Sequence, residues 1–292
     1  AYTRFNPSTG ITYRFADWAV LYGGYSEANR APTPAELSCA GPENSCSLAN
    51  FFVGDPDLKQ VVAHTYEAGL RGRIRISRDS AVTYDAGVFR TDANDDIAFI
   101  NSVTLNRAYF ANVGDTRRQG AKLHIGYNDR VWSVYLNYTF TDATYRTGFV
   151  ESAGSNPNAD AGGNLTIRRG DNLPGIPKNR FSGGADVKLN PKISLGVSFL
   201  LQGGQYLYGD EANVTPKLPG YFTLDLHGSW QITNHVQFFA RIQNAANRRY
   251  YTYGTFSPTT GVYLSQAPNA SNPRSYSIAA PVGGYGGIRV TF

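Results

Sequence analysis

Apolar and polar residues alternate with a period of two along most of this chain. In 221–230, Phe222, Leu224, Leu226 and Trp230 share one side, and Thr223, Asp225, His227 and Ser229 share the other. In 132–140, Trp132, Val134, Leu136, Tyr138 and Phe140 oppose Ser133, Tyr135, Asn137 and Thr139. The stretches 193–201 and 236–242 repeat the arrangement. This period marks a strand with one apolar and one polar face. Eleven such segments are predicted, near 2–14, 18–27, 61–76, 81–92, 107–127, 131–146, 179–190, 193–207, 219–231, 236–248 and 284–292.

The connections between them alternate in length. Short ones lie at 16–17, 77–80, 128–130, 190–192 and 233–235, and long ones near 28–60, 93–106, 147–178, 208–218 and 249–283. In an antiparallel meander every second connection lies at the same end. Short turns therefore gather at one end and long loops at the other, which is the pattern of an all-β, antiparallel transmembrane β-barrel. A soluble sandwich or propeller also alternates, but its outward face is charged. Here the polar faces are rich in Ser, Thr, Asn, Gln and Gly, and the apolar faces carry aromatics toward the strand ends. No apolar run is long enough for a membrane-spanning helix.

Composition narrows the picture further. The 292 residues are 41% hydrophobic and only 17% charged, against about 25% in ordinary soluble domains. Tyr 20, Phe 16 and Trp 3 exclude a disordered chain. Met is absent and Tyr2 to Phe15 already reads as strand, so the sequence is expected to open inside a domain, with any signal peptide absent or removed. The net charge of +5 is scattered rather than blocked, which argues against a nucleic-acid partner. Cys39 and Cys46 lie in a polar loop with no His nearby, so a local disulfide in an oxidising compartment is expected rather than zinc. Closing so small a loop contributes roughly 2–3 kcal/mol at most.

Five stretches carry a resemblance. Tyr25 to Thr33 (YSEANRAPT) resembles a strand-to-loop motif S-E-G-F-R-A-P. Gly54 to Leu58 (GDPDL), followed by Thr65 to Arg71 (TYEAGLR), is similar to N-P-x-L…E-x-G-x-[KR]. Asn112 to Gly120 (NVGDTRRQG) resembles N-x-G-x-x-R-x-x-G. Asn244 to Tyr250 (NAANRRY) resembles N-L-F-D-x-x-Y, and the chain closes on an alternating strand ending in Phe292. Together, and in this order, they resemble the C-terminal part of TonB-dependent outer-membrane receptors. The resemblance implies a 22-stranded barrel filled by an N-terminal plug. Eleven strands would be half of it, and an odd count fits part of a bacterial barrel better than a complete one. Residues 1–292 are thus expected to be a C-terminal portion of that barrel, with the plug and the TonB-contacting segment outside this sequence. Lys122 stands where the family motif usually has Glu, Asn29 replaces its Phe, and Ala245-Ala246 replace an apolar pair.

Candidate sites follow. Thr65, Glu67, Gly69, Arg71, Arg73 and Arg75 share one strand face. A charge on the lipid side costs about 2–4 kcal/mol, so that face must be lumenal. The resemblance implies plug contact for Glu67, with Arg71 and Arg73 beside it; a solvated pore wall is the alternative. Loop residues Tyr206, Tyr208, Tyr251 and Tyr253, with Arg30, Arg168, Arg169 and Arg274, could form a rim for an anionic chelate, since Arg donates to oxyanions and Tyr adds flat contact area. An aromatic girdle facing lipopolysaccharide is the alternative. Ile288, Val290 and Phe292 resemble the signal read by the barrel assembly machinery.

No metal site is expected: His64, His124, His227 and His235 lack ligand spacing, and Asp92, Asp95 and Asp96 lack the Gly and distal Glu of a calcium loop. No catalytic motif and no cofactor motif occurs. The resemblance implies an outer-membrane receptor that imports a scarce chelated nutrient, a ferric siderophore first. Its partners would be the ferric chelate, the TonB complex, the lipid bilayer with lipopolysaccharide, and the assembly machinery. A barrel protease or phospholipase, and a secreted Tyr-rich carbohydrate-binding protein, are the rival classes.

Overall fold

The computed structural model describes residues 2–41, 58–101, 108–153, 155–257, 265 and 268–292. Its elements are β1 (Ser8–Ala16), β2 (Ala19–Arg30), α1 (Pro34–Ser38), β3 (Val61–Arg75), β4 (Ala81–Asn94), β5 (Ile97–Asn101), β6 (Ala108–Asn112), β7 (Thr116–Asn128), β8 (Trp132–Tyr145), β9 (Phe149–Ser152), β10 (Asn164–Ile167), β11 (Asn179–Asn190), β12 (Ile193–Gln202), β13 (Tyr221–Gln231), β14 (Val236–Gln243), β15 (Tyr251–Phe256), β16 (Arg274–Ile278) and β17 (Gly283–Val290). Eleven strands form one antiparallel sheet in the order β1-β2-β3-β4-β7-β8-β11-β12-β13-β14-β17. Each alternating segment of the sequence supplies one of them. β1 and β17 are the two edges, so the described sheet is open.

Boundaries shift for local reasons. The 107–127 segment splits into β6 and β7 because Gly114 takes φ +83 between them. The segment predicted to reach residue 248 stops at Gln243, where Asn244 and Asn247 adopt φ 48 and 43. Asn tolerates that left-handed conformation better than most residues. The long connections hold secondary structure of their own. They carry three two-stranded ribbons, β5–β6, β9–β10 and β15–β16.

The two faces of the sheet behave in opposite ways. In β13, Leu226 sits opposite Val197 and Ile242, while Asp225 sits opposite Ser198. The apolar side stays open: Ile11 is 73% exposed, Ile288 66% and Leu195 48%. A half-exposed large apolar side chain leaves roughly 1 kcal/mol of burial unrealised. Over the many such chains here, the sum rivals the 5–15 kcal/mol that holds a typical domain together. Water is therefore the wrong solvent for this face, and lipid is the right one. All three tryptophans lie at the short-turn end, Trp18 in the β1–β2 turn, Trp132 opening β8 and Trp230 closing β13, each about half exposed. Tyr25 and Tyr66 pair at the opposite end, with rings 5.0 Å apart. These are aromatic girdles with aliphatic residues between them. From Phe222 to Trp230, a rise of about 3.4 Å per residue spans roughly 27 Å of strand, close to the height of an outer-membrane apolar band.

The buried core lies elsewhere. Ile100, Val113, Ala143, Tyr145, Ala153, Leu165, Ile167 and Leu173 form one cluster at the long-loop end. Ile167 and Leu207 are each 1% exposed. The loops thus fold into a packed layer over that end of the sheet.

Candidate functional site

Two regions gather polar chemistry. The first is the polar face of the sheet. Glycines on β3, β4, β11 and β12 leave a floor on which neighbouring side chains lie flat. A Cβ on Gly69 would fall 2.5 Å from the Tyr22 hydroxyl oxygen, and one on Gly87 would fall 2.6 Å from it. Tyr22 therefore crosses both strands and donates to Asp85 at 3.1 Å. Arg71 and Lys122 approach the same ring at 5.4 and 5.7 Å, within cation–π range. Lys122 also lies 3.9 Å from Glu67. Together with Thr12, Ser26 and Thr65 these side chains line a cavity of about 680 Å³. Lys122, where the family motif has Glu, thus provides Glu67 with an internal partner.

Farther along the same face, Asp186 and His227 meet at 2.7 Å across Gly196, whose Cβ would fall 2.2 Å from the imidazole nitrogen. Arg241 donates to Asp225 at 2.7 Å. His124 contacts Asn137 at 2.7 Å. These pairs satisfy charges that a lipid-facing surface would not tolerate.

The second region is the loop end. Asp96, Phe99, Arg118, Tyr145, Glu151, Leu173, Tyr208, Glu211 and Tyr253 are among the residues around a cavity of about 400 Å³. Tyr208 and Tyr253 stack with centroids 5.2 Å apart. Burial raises the Tyr208 hydroxyl above its ordinary range, and the neighbouring Tyr253 adds to the effect. Glu151 is 4% exposed and Glu211 8%. Burial first, then the hydrogen-bonding carboxyl of Glu211, pushes Glu151 far above the ordinary carboxylate range. Behind them Asp210 is fully buried and raised by that burial, in spite of bonds from Thr215 and Val214.

The structure brings some of the expected rim residues together and separates others. Tyr208 meets Tyr253, Tyr251 packs on Tyr276 at 5.0 Å, and Tyr206 lies under Lys217 at 4.7 Å. Arg30 is held by Glu36 at 2.6 Å, and Arg274 donates to the Pro216 carbonyl at 2.8 Å. Arg168 and Arg169 are exposed just beyond β10. The arginines therefore do not converge. Glu67 and Arg71 line the sheet cavity, and Arg73 is exposed nearer the short-turn end of β3. Ile288 and Val290 lie on the open apolar face, and Phe292 follows β17, fully exposed. Cys39 is disulfide-bonded, and Cys46 lies outside the described residues. Asp92 pairs with Arg90 and Arg117, and Asp96 with Arg118. No group of three metal-type ligands occurs among the described residues. Sequence reading missed Tyr22, Asp85, Glu151 and Glu211. Only the first two carried a signal, the polar-face glycines beside them.

The family model described as "TonB dependent receptor-like, beta-barrel" matches residues 1–245. The probable TonB-dependent receptor BfrD of Bordetella pertussis is 23% identical over 254 residues, which is 85% of this chain and 30% of that protein. The siderophore receptor PiuA from Acinetobacter baumannii superposes with a TM-score of 0.66 at 18% identity, over 97% of this chain and 35% of that one. The copper transporter OprC superposes at 0.68 and 16% identity, over 98% and 39%. At such identities the superpositions establish the fold. The chain spans about a third of the length of the proteins it matches.

Proposed function

Because this chain belongs to the TonB-dependent receptor β-barrel family of outer-membrane proteins, we propose that it forms a C-terminal portion of the barrel of a receptor that imports a scarce chelated nutrient, a ferric siderophore in the first instance. The observation that carries this reading is a family match over most of a sheet whose apolar face is open and whose polar face is charged and internally paired. Such a wall separates lipid from a wet lumen, and a wet lumen suits passage of a polar cargo.

In this reading the loop end captures the chelate. Tyr208 and Tyr253 offer stacked faces, and Arg168 and Arg169 offer exposed donors for anionic oxygens. Tyr206, Tyr251, Arg30 and Arg274 shape the surrounding loops, the last two through the contacts that already hold them. A plug domain, supplied outside this sequence, docks on the polar face at Glu67, Arg71 and Arg73. Energy arrives through TonB, and the iron stays within its chelator, so this chain performs binding and gated passage rather than bond making. Cys39 and Cys46 close one loop, and Ile288, Val290 and Phe292 present the assembly signal.

Growth rescue tests the reading. A deletion strain starved of iron is supplied with a panel of ferric catecholates, hydroxamates and carboxylates, with haem and copper chelates as comparison arms. Rescue by one ferric siderophore only when the gene is restored is the expected result. Restoration by none of them, with the receptor present in the outer membrane, removes the siderophore assignment.

A further inference from the structure

The loop-end cavity has an unbalanced charge. Its lining contains three carboxylates, Asp96, Glu151 and Glu211, and one base, Arg118. Arg118 is committed: it lies 3.2 Å from Asp96 and donates to Thr116 at 3.1 Å. Thr116 also donates to Asp96, at 2.6 Å. Asp96 is therefore satisfied. The two glutamates are not. The Gly209 amide donates to Glu211 Oε1 at 3.1 Å, but among the described residues no donor reaches Glu151 Oε1 or Glu211 Oε2. Each side chain is more than nine-tenths buried.

Two buried acceptors that line one cavity need a positive charge beside them. Burial first, then the neighbouring Glu211, holds that charge as a proton on Glu151. A divalent metal is a poor alternative, because calcium takes six to eight oxygens and no third ligand joins this pair among the described residues. The remaining lining is aromatic and aliphatic, with Phe99, Tyr145, Tyr208, Tyr253, Leu173 and Ile176. An acidic floor under aromatic walls, enclosing about 400 Å³, suits a small molecule with a charged amine on an apolar body.

We propose that this cavity binds an organic ammonium group, with Glu151 and Glu211 as its counter-charge. The proposal shares Tyr208 and Tyr253 with the chelate reading but does not depend on it, since it concerns a cation held by Glu151 and Glu211 rather than an anion held by arginines. Binding exchanges that proton for the ammonium: Glu151 gives its proton to solvent, and the cation then lies beside two carboxylates. The other titratable groups around the pair are Asp210, Asp96, Tyr145, Tyr208 and Tyr109.

The test is calorimetry on the full-length protein in detergent micelles at neutral pH, with 2-phenylethylammonium as the probe and 2-phenylethanol as its neutral isostere. Saturable binding of the ammonium alone is expected, with about one proton released per site when buffers of different ionisation heat are compared. Glu151→Gln supplies an N–H to Glu211, so the fold should hold while affinity falls by roughly tenfold or more. Glu211→Gln should do the same. No ammonium binding up to about 10 mM, equal binding of the alcohol, preferential binding of calcium, or unchanged affinity in both variants overturns the proposal. Proton release by the wild-type protein keeps the test decisive if neither variant folds. None of these results alters growth rescue by a ferric chelate, so the two readings fail separately.

Discussion

Leu226→Arg probes the assignment of faces directly. Leu226 lies midway along β13, four residues from Phe222 and four from Trp230, both on the same open face. The aromatic girdles therefore bracket it, and it sits near the middle of the apolar band. Its cross-strand neighbours are Val197 and Ile242, so an arginine there finds no carboxylate. The penalty at such a depth is about 2–4 kcal/mol, or roughly 30- to 900-fold in the folding equilibrium. The control is Ser198→Arg. Ser198 sits on the other face opposite Asp225, so the new guanidinium meets water and a carboxylate. Its cost should stay below about 1 kcal/mol. Reversible denaturant unfolding of the full-length protein in phospholipid vesicles measures both. Equal penalties, or a larger one at Ser198, would refute the lipid assignment of the apolar face.

Three further outcomes are expected. Gly196→Ala places a Cβ 2.2 Å from His227 and 2.3 Å from Asp186, so it should destabilise by about 1–3 kcal/mol, while Gly283→Ala, with nothing within 4 Å, should be near neutral in the same unfolding assay. Glu151 has a raised folded pKa, so its contribution is complete below the ordinary carboxylate range and is lost as pH climbs through the folded value. Hydrogen-exchange protection factors in 149–152 and 164–167 should accordingly fall toward alkaline pH, and Glu151→Gln should flatten that dependence; a wild-type profile as flat as the variant's speaks against it. Finally, Cys39→Ser removes the disulfide that anchors the segment whose Cys39 carbonyl accepts from the Phe110 amide at 2.7 Å, so it should loosen α1 and β6 and leave the sheet intact. Exchange spreading into β1–β4 would contradict that local role.

How legible each part was depends on the range of the forces that made it. The strands of the sheet were readable because a two-residue period and a lipid-facing wall act on every strand independently. Leu224, Leu226 and Trp230 declare their face with no knowledge of β12 or β14. The short turns were readable for the same reason, since Asn190 and Asp129 each cap a turn within three residues of themselves, at 2.8 Å to Lys192 and 2.6 Å to Trp132. The loop ribbons were not. β5 and β9 are short apolar stretches whose partners lie across intervening residues, and no period distinguishes them from coil.

The candidate sites divide along the same line. Glu67 and Arg71 were visible because they share the parity of one strand. Their partners Tyr22, Asp85 and Lys122 come from three other strands, and only register joins them. Alternation fixes which face a residue takes but not who stands beside it, so polar-face glycines were the sole forward sign of a neighbour lying across. At the loop end even that sign is missing. Glu151 and Glu211 are brought together by a layer with its own buried core, in which Ile167, Leu173 and Tyr145 pack as they would in a soluble domain. That core is what makes the pair costly to leave unbalanced: over a lipid-facing sheet with a wet inner wall, the packed loops are where side chains are buried most deeply. A charge imbalance there must be settled by a proton or a ligand, whereas Glu67, about half exposed, is settled by Lys122 and solvent.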